Sequence, residues 1–475
     1  MTRYLTERRA VYLMAALVAA AISRDLLHMP LQVYDCVSVM VKAYRAPSAW
    51  EQFYSHLHSE GYFRPMFYTE VKLLMDLARG HYFIAYRLFH SFLVFAFLLL
   101  FARALDVRDR RALIVAPFAL TVFVGMHTFL GTVKELYPVN HFLQIAVLCL
   151  AALNLAQTRG GWWVDLLAVL TFVLAALTIE SGLLVWVVLT AAWLVGMPGV
   201  SRRGVIAVTA LLGVYVVVRF GFFGTGLPTV DERSTGFLLR AIDPSEVHQR
   251  FGDNLLPLRA YNVVSSVLSI LFSEPRSGVW IFVRGVIGES VRPHTYVNLI
   301  ASLFGTGLVV GYVVSRLRAG VRWPQTLTDR QIAVFAAVLL ANAAICYVYT
   351  KDEIISTAGA IYAVAVAGAA LHFLRRWEVR PLSRRVMALV CTVSLVGASA
   401  WMVRAVGVHE VLRRQAFVQR NDWVHLEEQW RRDGRWQEYA DTMPMVLPLR
   451  QEAINMRLGN PDFPTAVTDL FDEDY

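Results

Sequence analysis

The sequence predicts an all-α polytopic membrane protein with about eleven transmembrane helices. Of its 475 residues, 57% are hydrophobic and 17% are charged, and the mean hydropathy is +0.49. One water-soluble core cannot bury that much apolar surface. A helix needs about 20 mostly apolar residues to cross a bilayer. Runs near this length lie at 10–24, 82–103, 112–130, 138–157, 162–178, 182–198, 204–221, 296–316, 331–349, 354–374 and 385–404.

The positions of arginine orient these predicted spans. Arginines recur in alternate connections, within 3–9, 103–111, 159, 202–203, 316–330 and 375–385. Because positive charge concentrates in cytoplasmic loops, the N-terminus is predicted to be cytoplasmic and the C-terminus outside. The net charge of +9 is then mainly a topology signal. Nucleic-acid binding would need a basic patch on a soluble face and is not expected.

This orientation predicts two units, a membrane domain over residues 1–404 and a small extracytoplasmic tail over 405–475. The outer side carries a first loop of about 25–81 and an outer segment of about 222–295. Short outer turns lie near 131–137, 179–181 and 350–353.

Within these outer segments, helical spacing at 31–44 and 48–58 predicts two helices along the membrane interface. The short apolar stretch 258–273 is either an interfacial helix or, with 278–288, half of a re-entrant hairpin. The tail is predicted as a helix of about 407–432 followed by irregular chain.

Charged side chains gather on the predicted outer side, whereas the middles of the spans contain no Asp, Glu, Lys or Arg. A charge at the bilayer centre costs at least about 2.5 kcal/mol, and ion-coupled transporters place such groups near the midplane. The distribution therefore favours an outer active site over a transport path. All four lysines lie on the predicted outer side, namely Lys42, Lys72, Lys134 and Lys351.

Several of these residues are candidates for chemistry. Asp35 could be the general base that takes a proton from an attacking hydroxyl, and Asp25 competes with it. Cations at the level of lipid head groups can bind phosphate, and the candidates are Lys351, Arg219 and Arg64. Possible further substrate contacts are Asp25, Lys134, Glu135, Glu180 and Tyr62. Ordinary explanations also exist: a solvated loop acid, a snorkelling arginine or an ion pair between loops.

Four stretches, taken in order, resemble motifs of the GT-C superfamily of integral membrane glycosyltransferases. The likeness is closest to the bacterial relatives of protein O-mannosyltransferases, which use polyprenyl- or dolichyl-monophosphate sugars. Val33-Tyr34-Asp35 is similar to the first-loop acidic motif of the family, and Tyr62-Phe63-Arg64-Pro65-Met66 is similar to its aromatic-Arg-Pro-Leu segment. Tyr215-Val216-Val217-Val218-Arg219 is similar to the family's Tyr-Leu-Leu-Leu-Arg. The stretch from Lys351 through Tyr362 resembles the late Arg-Tyr-x-x-x-Pro segment.

Departures from the family pattern bear on the cofactor. The second aspartate of the acidic motif is Cys36, the usual Lys-Glu is Ile179-Glu180, and the late segment lacks its arginine and proline. One aspartate suffices for a base, so no cofactor is required. A divalent cation is possible but is not supported by a paired-acid motif. The histidines show no metal-site spacing, and no metal ligand is predicted.

The resemblance implies a glycosyltransferase in the bacterial inner membrane with its active site facing the periplasm. It would move a sugar from a polyprenyl-phosphate carrier to a hydroxyl of a glycan, glycolipid or protein acceptor, with inversion. Two other classes stay open. One is a flippase for lipid-linked saccharides, with a cavity lined by Asn140, His141, Gln144 and Asn342. The other is a non-enzymatic scaffold whose tail recruits partners.

Overall fold

The computed structural model describes residues 2–57, 63–224, 229, 231, 234–237, 240–272, 280–320, 322–379, 383–434 and 443–458. Nearly all of this chain is helical. The first nine helices are α1 (Thr2–Leu26), α2 (Tyr34–Arg45), α3 (Ala49–Leu57), α4 (Pro65–Ala78), α5 (Tyr82–Ala104), α6 (Arg110–Gly125), α7 (His127–Val133), α8 (His141–Gln157) and α9 (Trp162–Thr178).

The second half adds further helices and one short hairpin. A 3₁₀ turn, Glu180–Leu183, leads into α10 (Leu184–Leu194), and α11 (Arg202–Val216) continues as a π-helical turn, Val217–Phe222. Strands β1 (Thr235–Phe237) and β2 (Arg240–Ile242) pair antiparallel, with Gly236 opposite Ala241. The remaining helices are α12 (Pro244–Phe251), α13 (Leu256–Phe272), α14 (Trp280–Ile287), α15 (Pro293–Arg318), α16 (Leu327–Ile345), α17 (Ser356–Val379), α18 (Arg384–Val424), α19 (Leu426–Arg432) and α20 (Met443–Leu458).

Within the described ranges, six helices are long and apolar enough to cross a membrane: α5, α11 with its π-helical end, and α15 to α18. A seventh span results if α6 and α7, which meet at a 60° bend, are counted together. The chain is therefore a helical membrane protein, as predicted. Every one of the eleven predicted spans coincides with a helix, but α8, α9 and α10 are shorter apolar helices, and α1, which covers the first predicted span, is not among the six or seven. Eleven spans and their orientation stay a prediction.

Polar contacts gather the arginine-rich connections at one end of the helices. Arg375 pairs with Asp109 at 2.6 Å, and Arg111 pairs with Glu378. Gln331 Nε2 donates to the Ala104 carbonyl oxygen at 3.0 Å. We call residues 103–111, 316–331 and 375–378 the basic end. Their grouping is what the predicted topology requires of cytoplasmic loops.

The first loop and the tail share a hydrophobic cluster of their own. Trp423, at the end of α18, is 1% exposed and packs with Val33, Cys36 and Phe83, among others. Its indole nitrogen donates to the Leu31 carbonyl oxygen at 2.5 Å. The tail is thus fixed onto the first loop.

One expectation for the tail changes. Helix α18 runs unbroken from the last predicted span through the predicted domain boundary at 404. The prediction of irregular chain after 432 is wrong over Met443–Leu458, which is helix α20. This helix packs on the first-loop cluster, and its Glu452 accepts hydrogen bonds from the backbone N–H groups of Phe83 and Ile84 at 3.0 and 3.4 Å. Those contacts satisfy free donors at the start of α5.

Candidate functional site

Arg64 lies at the start of helix α4. It occupies the position before the first helical residue, and Pro65 follows at the first turn. Proline fits there because the missing N–H has no helical partner. The 14 residues of α4 separate this motif from the second predicted span, which is α5. Arg79 and Gly80 then adopt left-handed backbone conformations, with φ of 46° and 94°, and α5 follows.

An arginine cluster joins this loop to two distant segments. Arg219 donates from one guanidinium nitrogen to Glu180 at 2.9 Å and from another to the Tyr215 hydroxyl at 2.7 Å. Arg64 approaches the second oxygen of Glu180 at 3.6 Å. The arginine cluster, defined as Arg64, Glu180, Tyr215 and Arg219, therefore holds two guanidinium groups and one carboxylate. Its net charge of +1 suits an anionic ligand.

Only 2% of the surface of Arg219 is exposed, and local packing explains this burial. Tyr215 and Arg219 lie four residues apart and share a helix face. The guanidinium also lies 5.2 Å from the centroid of the Phe220 ring, a cation–π contact. Phe63 packs edge-on against the ring of Tyr215 at 5.6 Å. The π-helical turn carries Arg219, and such turns are frequent at functional sites.

A polar trio, Glu70, His141 and Gln144, joins α4 to α8. Gln144 donates to one oxygen of Glu70 at 2.8 Å. His141 is 2% exposed, and its ring lies 4.8 Å from that of Phe67. In the described part of the chain, the second oxygen of Glu70 is buried and has no hydrogen-bond partner. Buried polar atoms without partners are rare and call for a functional explanation.

Lys351 lies just before helix α17. The ammonium group of Lys351 pairs with Glu353 at 3.0 Å and lies 5.6 Å from the centroid of the Tyr349 ring. Its side chain is 21% exposed. The ion pair neutralises this charge within the turn, and the partial exposure leaves Lys351 able to meet a ligand.

The start of α2, which carries Asp35, lies against the outer turn at 134–137. The Cys36 thiol and the Gln32 N–H both approach the Leu136 carbonyl oxygen at 3.4 Å. Arg87, completely buried, donates to that oxygen and to the carbonyl of Tyr137, both at 3.2 Å. Half-buried Lys134 and Glu135 precede these residues. The side chain of Asp35 and the whole of Tyr62 lie outside the described residues.

The competing carboxylate, Asp25, has a partner in the tail. Its Oδ2 lies 2.5 Å from His409 Nδ1 on α18. Among the described residues, no group of three His, Cys, Asp or Glu side chains could hold a metal ion. The helices predicted at 31–44 and 48–58 are present as α2 and α3, and their position along the membrane interface stays a prediction.

Glu70 is the site residue that sequence reasoning missed. Its signal is a single acidic residue beside Phe67 and Val71, both buried on the same helix. Burial raises the pKa of Glu70 to about 7, although the hydrogen bond from Gln144 acts in the opposite direction. This carboxyl group can therefore gain or lose a proton near neutral pH.

The Glu70 carboxyl predicts a pH-dependent stability. Since its pKa is about 7 in the folded protein and 4.5 ordinarily, the folded protein keeps a proton that the unfolded chain releases. That stabilisation is complete below pH 4.5 and is lost as the pH rises through 7. Between pH 5 and pH 8, the melting temperature of the wild type should fall relative to that of Glu70→Gln. This relative loss corresponds to a decrease of at most about 3 kcal/mol in the free energy of unfolding. Asp76→Asn, an exposed change on the same helix, serves as control, and parallel curves for wild type and Glu70→Gln would contradict the assignment.

Comparison with protein-family models, with curated proteins and with solved structures found no match to this chain.

Proposed function

We propose that this membrane protein is a glycosyltransferase of the GT-C type. It transfers a sugar from a polyprenyl-monophosphate carrier to an acceptor hydroxyl on the outer face of the membrane. The observation that carries the proposal is the arginine cluster, in which the first loop, the 179–181 turn and the end of α11 bring Arg64, Glu180 and Arg219 together. The motifs around Asp35, Arg64, Arg219 and Lys351 resemble those of the GT-C superfamily, and this resemblance is the basis for the proposed reaction.

Charge supports a phosphate ligand at this cluster. The donor is a phosphodiester with one negative charge, which the net charge of +1 balances. When the sugar leaves, the lipid phosphate gains a second negative charge. Arg219, Arg64 and Lys351 would stabilise that developing charge, an effect that lowers the barrier of the transfer. The polyprenyl chain would lie between the spans, where each buried methylene contributes about 0.8 kcal/mol.

The proposed reaction is a single displacement with inversion. Asp35 takes the proton of the acceptor hydroxyl, and the oxygen attacks the anomeric carbon from the face opposite the phosphate. The bond between the anomeric carbon and the phosphate oxygen breaks, and the electron pair leaves with the lipid phosphate. Lys134 and Glu135 adjoin the start of α2 and are possible contacts for either substrate.

The hydrogen bonding of two polar residues favours an enzyme over a flippase. Asn342 donates to the Ile354 carbonyl oxygen at 2.8 Å and accepts from the Ala358 N–H at 3.2 Å. Asn140 donates to the Thr132 carbonyl oxygen at 2.7 Å. Side chains engaged in this way hold the fold together and do not offer their groups to a passing saccharide.

The test is the release of free polyprenyl phosphate by the purified protein in lipid nanodiscs. A panel of polyprenyl-phosphate sugars is offered with cell-envelope acceptors, and each donor is also incubated without acceptor. Acceptor-dependent release from at least one donor is expected. A parallel assay in proteoliposomes follows movement of the intact donor across the bilayer. Movement without release from any donor would refute the transferase in favour of the flippase.

A further inference from the structure

A second candidate site lies at the basic end, away from the arginine cluster. A cavity of about 260 Å³ opens between α6, α16 and α17. Two of its walls are formed by small or branched apolar side chains, with Ala112, Ala116 and Ala119 on α6 and Val364, Ala367 and Leu371 on α17. The wall formed by α16 is partly polar and includes Thr328 and Gln331. Ala112 and Ala119 are about 10 Å apart along the helix at 1.5 Å per residue, so the cavity has the depth of a short stretch of acyl chain.

Cations line the same cavity where it reaches solvent. Arg108, whose side chain is 71% exposed, and Arg375, whose side chain is 47% exposed, both contribute to its lining. Each has a carboxylate neighbour: Asp106 lies 2.7 Å from Arg108, and Asp109 lies 2.6 Å from Arg375. Over residues 103–111, 316–330 and 375–378, however, ten arginines face four carboxylates, a net charge of +6. The mouth of the cavity therefore lies in a strongly positive field.

We propose that this cavity is a binding site for an anionic phospholipid. Its phosphate would lie at the mouth near Arg108 and Arg375, and the start of one acyl chain would enter between α6 and α17. The two halves of the cavity match the two halves of such a lipid, since basic pockets between membrane helices select anionic head groups. The proposal is independent of the glycosyltransferase reaction.

The experiment uses the full-length protein, purified and delipidated in a neutral detergent. Native mass spectrometry measures binding of 1-palmitoyl-2-oleoyl-phosphatidylglycerol and of the phosphatidylcholine with the same acyl chains. Phosphatidylglycerol should bind more tightly and raise the melting temperature more. Arg108→Gln should weaken its binding about fivefold, the equivalent of about 1 kcal/mol for one cation near a membrane surface. Ala367→Leu, which fills the cavity, should weaken it at least as much.

Arg318→Gln is the matched control because it removes the same charge from the basic end at an exposed position that does not line the cavity. Equal losses in Arg108→Gln and Arg318→Gln would mean a general effect of surface charge and would overturn the site. Equal binding of the two lipids by the wild type would also overturn it. Glycerol 3-phosphate, a soluble head group, should not stabilise the protein. If it does so as well as the lipid, the ligand is a free phosphate. Should Ala367→Leu fail to fold, the comparison of the two arginine variants decides.

Discussion

The Asp35→Asn variant is expected to retain at most about 1% of the wild-type transfer rate, because a positioned general base contributes about 10²-fold to 10⁴-fold. Asparagine has nearly the same size but cannot accept the proton of the acceptor hydroxyl. The loss should appear in kcat, whereas binding of the donor should change little. The measurement is release of polyprenyl phosphate at saturating donor, together with donor affinity by calorimetry.

Variants of two other aspartates show whether the loss of activity is specific to Asp35. Asp76→Asn is the matched control, since Asp76 lies on α4 of the same loop and pairs with Lys72 at 2.8 Å. It should leave the rate unchanged. Asp25→Asn breaks the contact with His409 and should lower the melting temperature without removing turnover. Full activity in Asp35→Asn combined with a collapse in Asp25→Asn would move the base to Asp25.

Replacing Arg219 with glutamine is expected to have two separate effects. Loss of one partner of a buried ion pair costs about 3–5 kcal/mol, and Arg219 is 2% exposed beside Glu180, so the melting temperature should fall. If Arg219 also binds the donor phosphate, affinity for the donor and for free polyprenyl phosphate should fall together. Arg219→Lys keeps the charge but loses the planar fork of donors, and it should be intermediate in both measurements.

Glu180→Gln separates the two roles of Arg219. A purely structural arginine would lose stability in Glu180→Gln without any change in phosphate affinity. A phosphate-binding arginine would be relieved of its carboxylate partner, and phosphate affinity should rise while stability falls. Arg203→Gln, at the exposed opposite end of α11, is the control and should change neither. Unchanged phosphate affinity in Arg219→Gln would remove Arg219 from the proposed site.

The apolar runs predict where helices lie because a bilayer imposes length and hydropathy on each span. They do not predict breaks, which depend on packing. The run 112–130 gives α6 and α7 with a 60° bend, and the run 385–404 continues into a 41-residue helix. Helix α4 is too short for a span. Gly80 follows it, and because glycine is common just beyond a helix end, this residue was a usable signal that a helix stops there.

The candidate site also has contacts that the sequence predicts and contacts that it does not. Tyr215 and Arg219 are four residues apart, so their contact follows from helix geometry. Glu180 and Arg219 are 39 residues apart, and no local pattern shows that the end of α11 meets the turn after α9. Glu70 is harder still, because its raised pKa depends on burial against α8. A sequence names the charged groups, and only the fold decides which of them share one environment.

Helix α18 extends the last membrane helix into the tail. At 1.5 Å per residue its 41 residues span about 60 Å, about twice the 30 Å thickness of the hydrocarbon layer. Roughly half of it therefore stands beyond the hydrocarbon as a rigid rod, and the indole of Trp423 at its far end is fastened to Leu31, three residues before α2 begins. This contact joins the start of the segment that carries Asp35 to a membrane helix that begins more than 340 residues later in the chain.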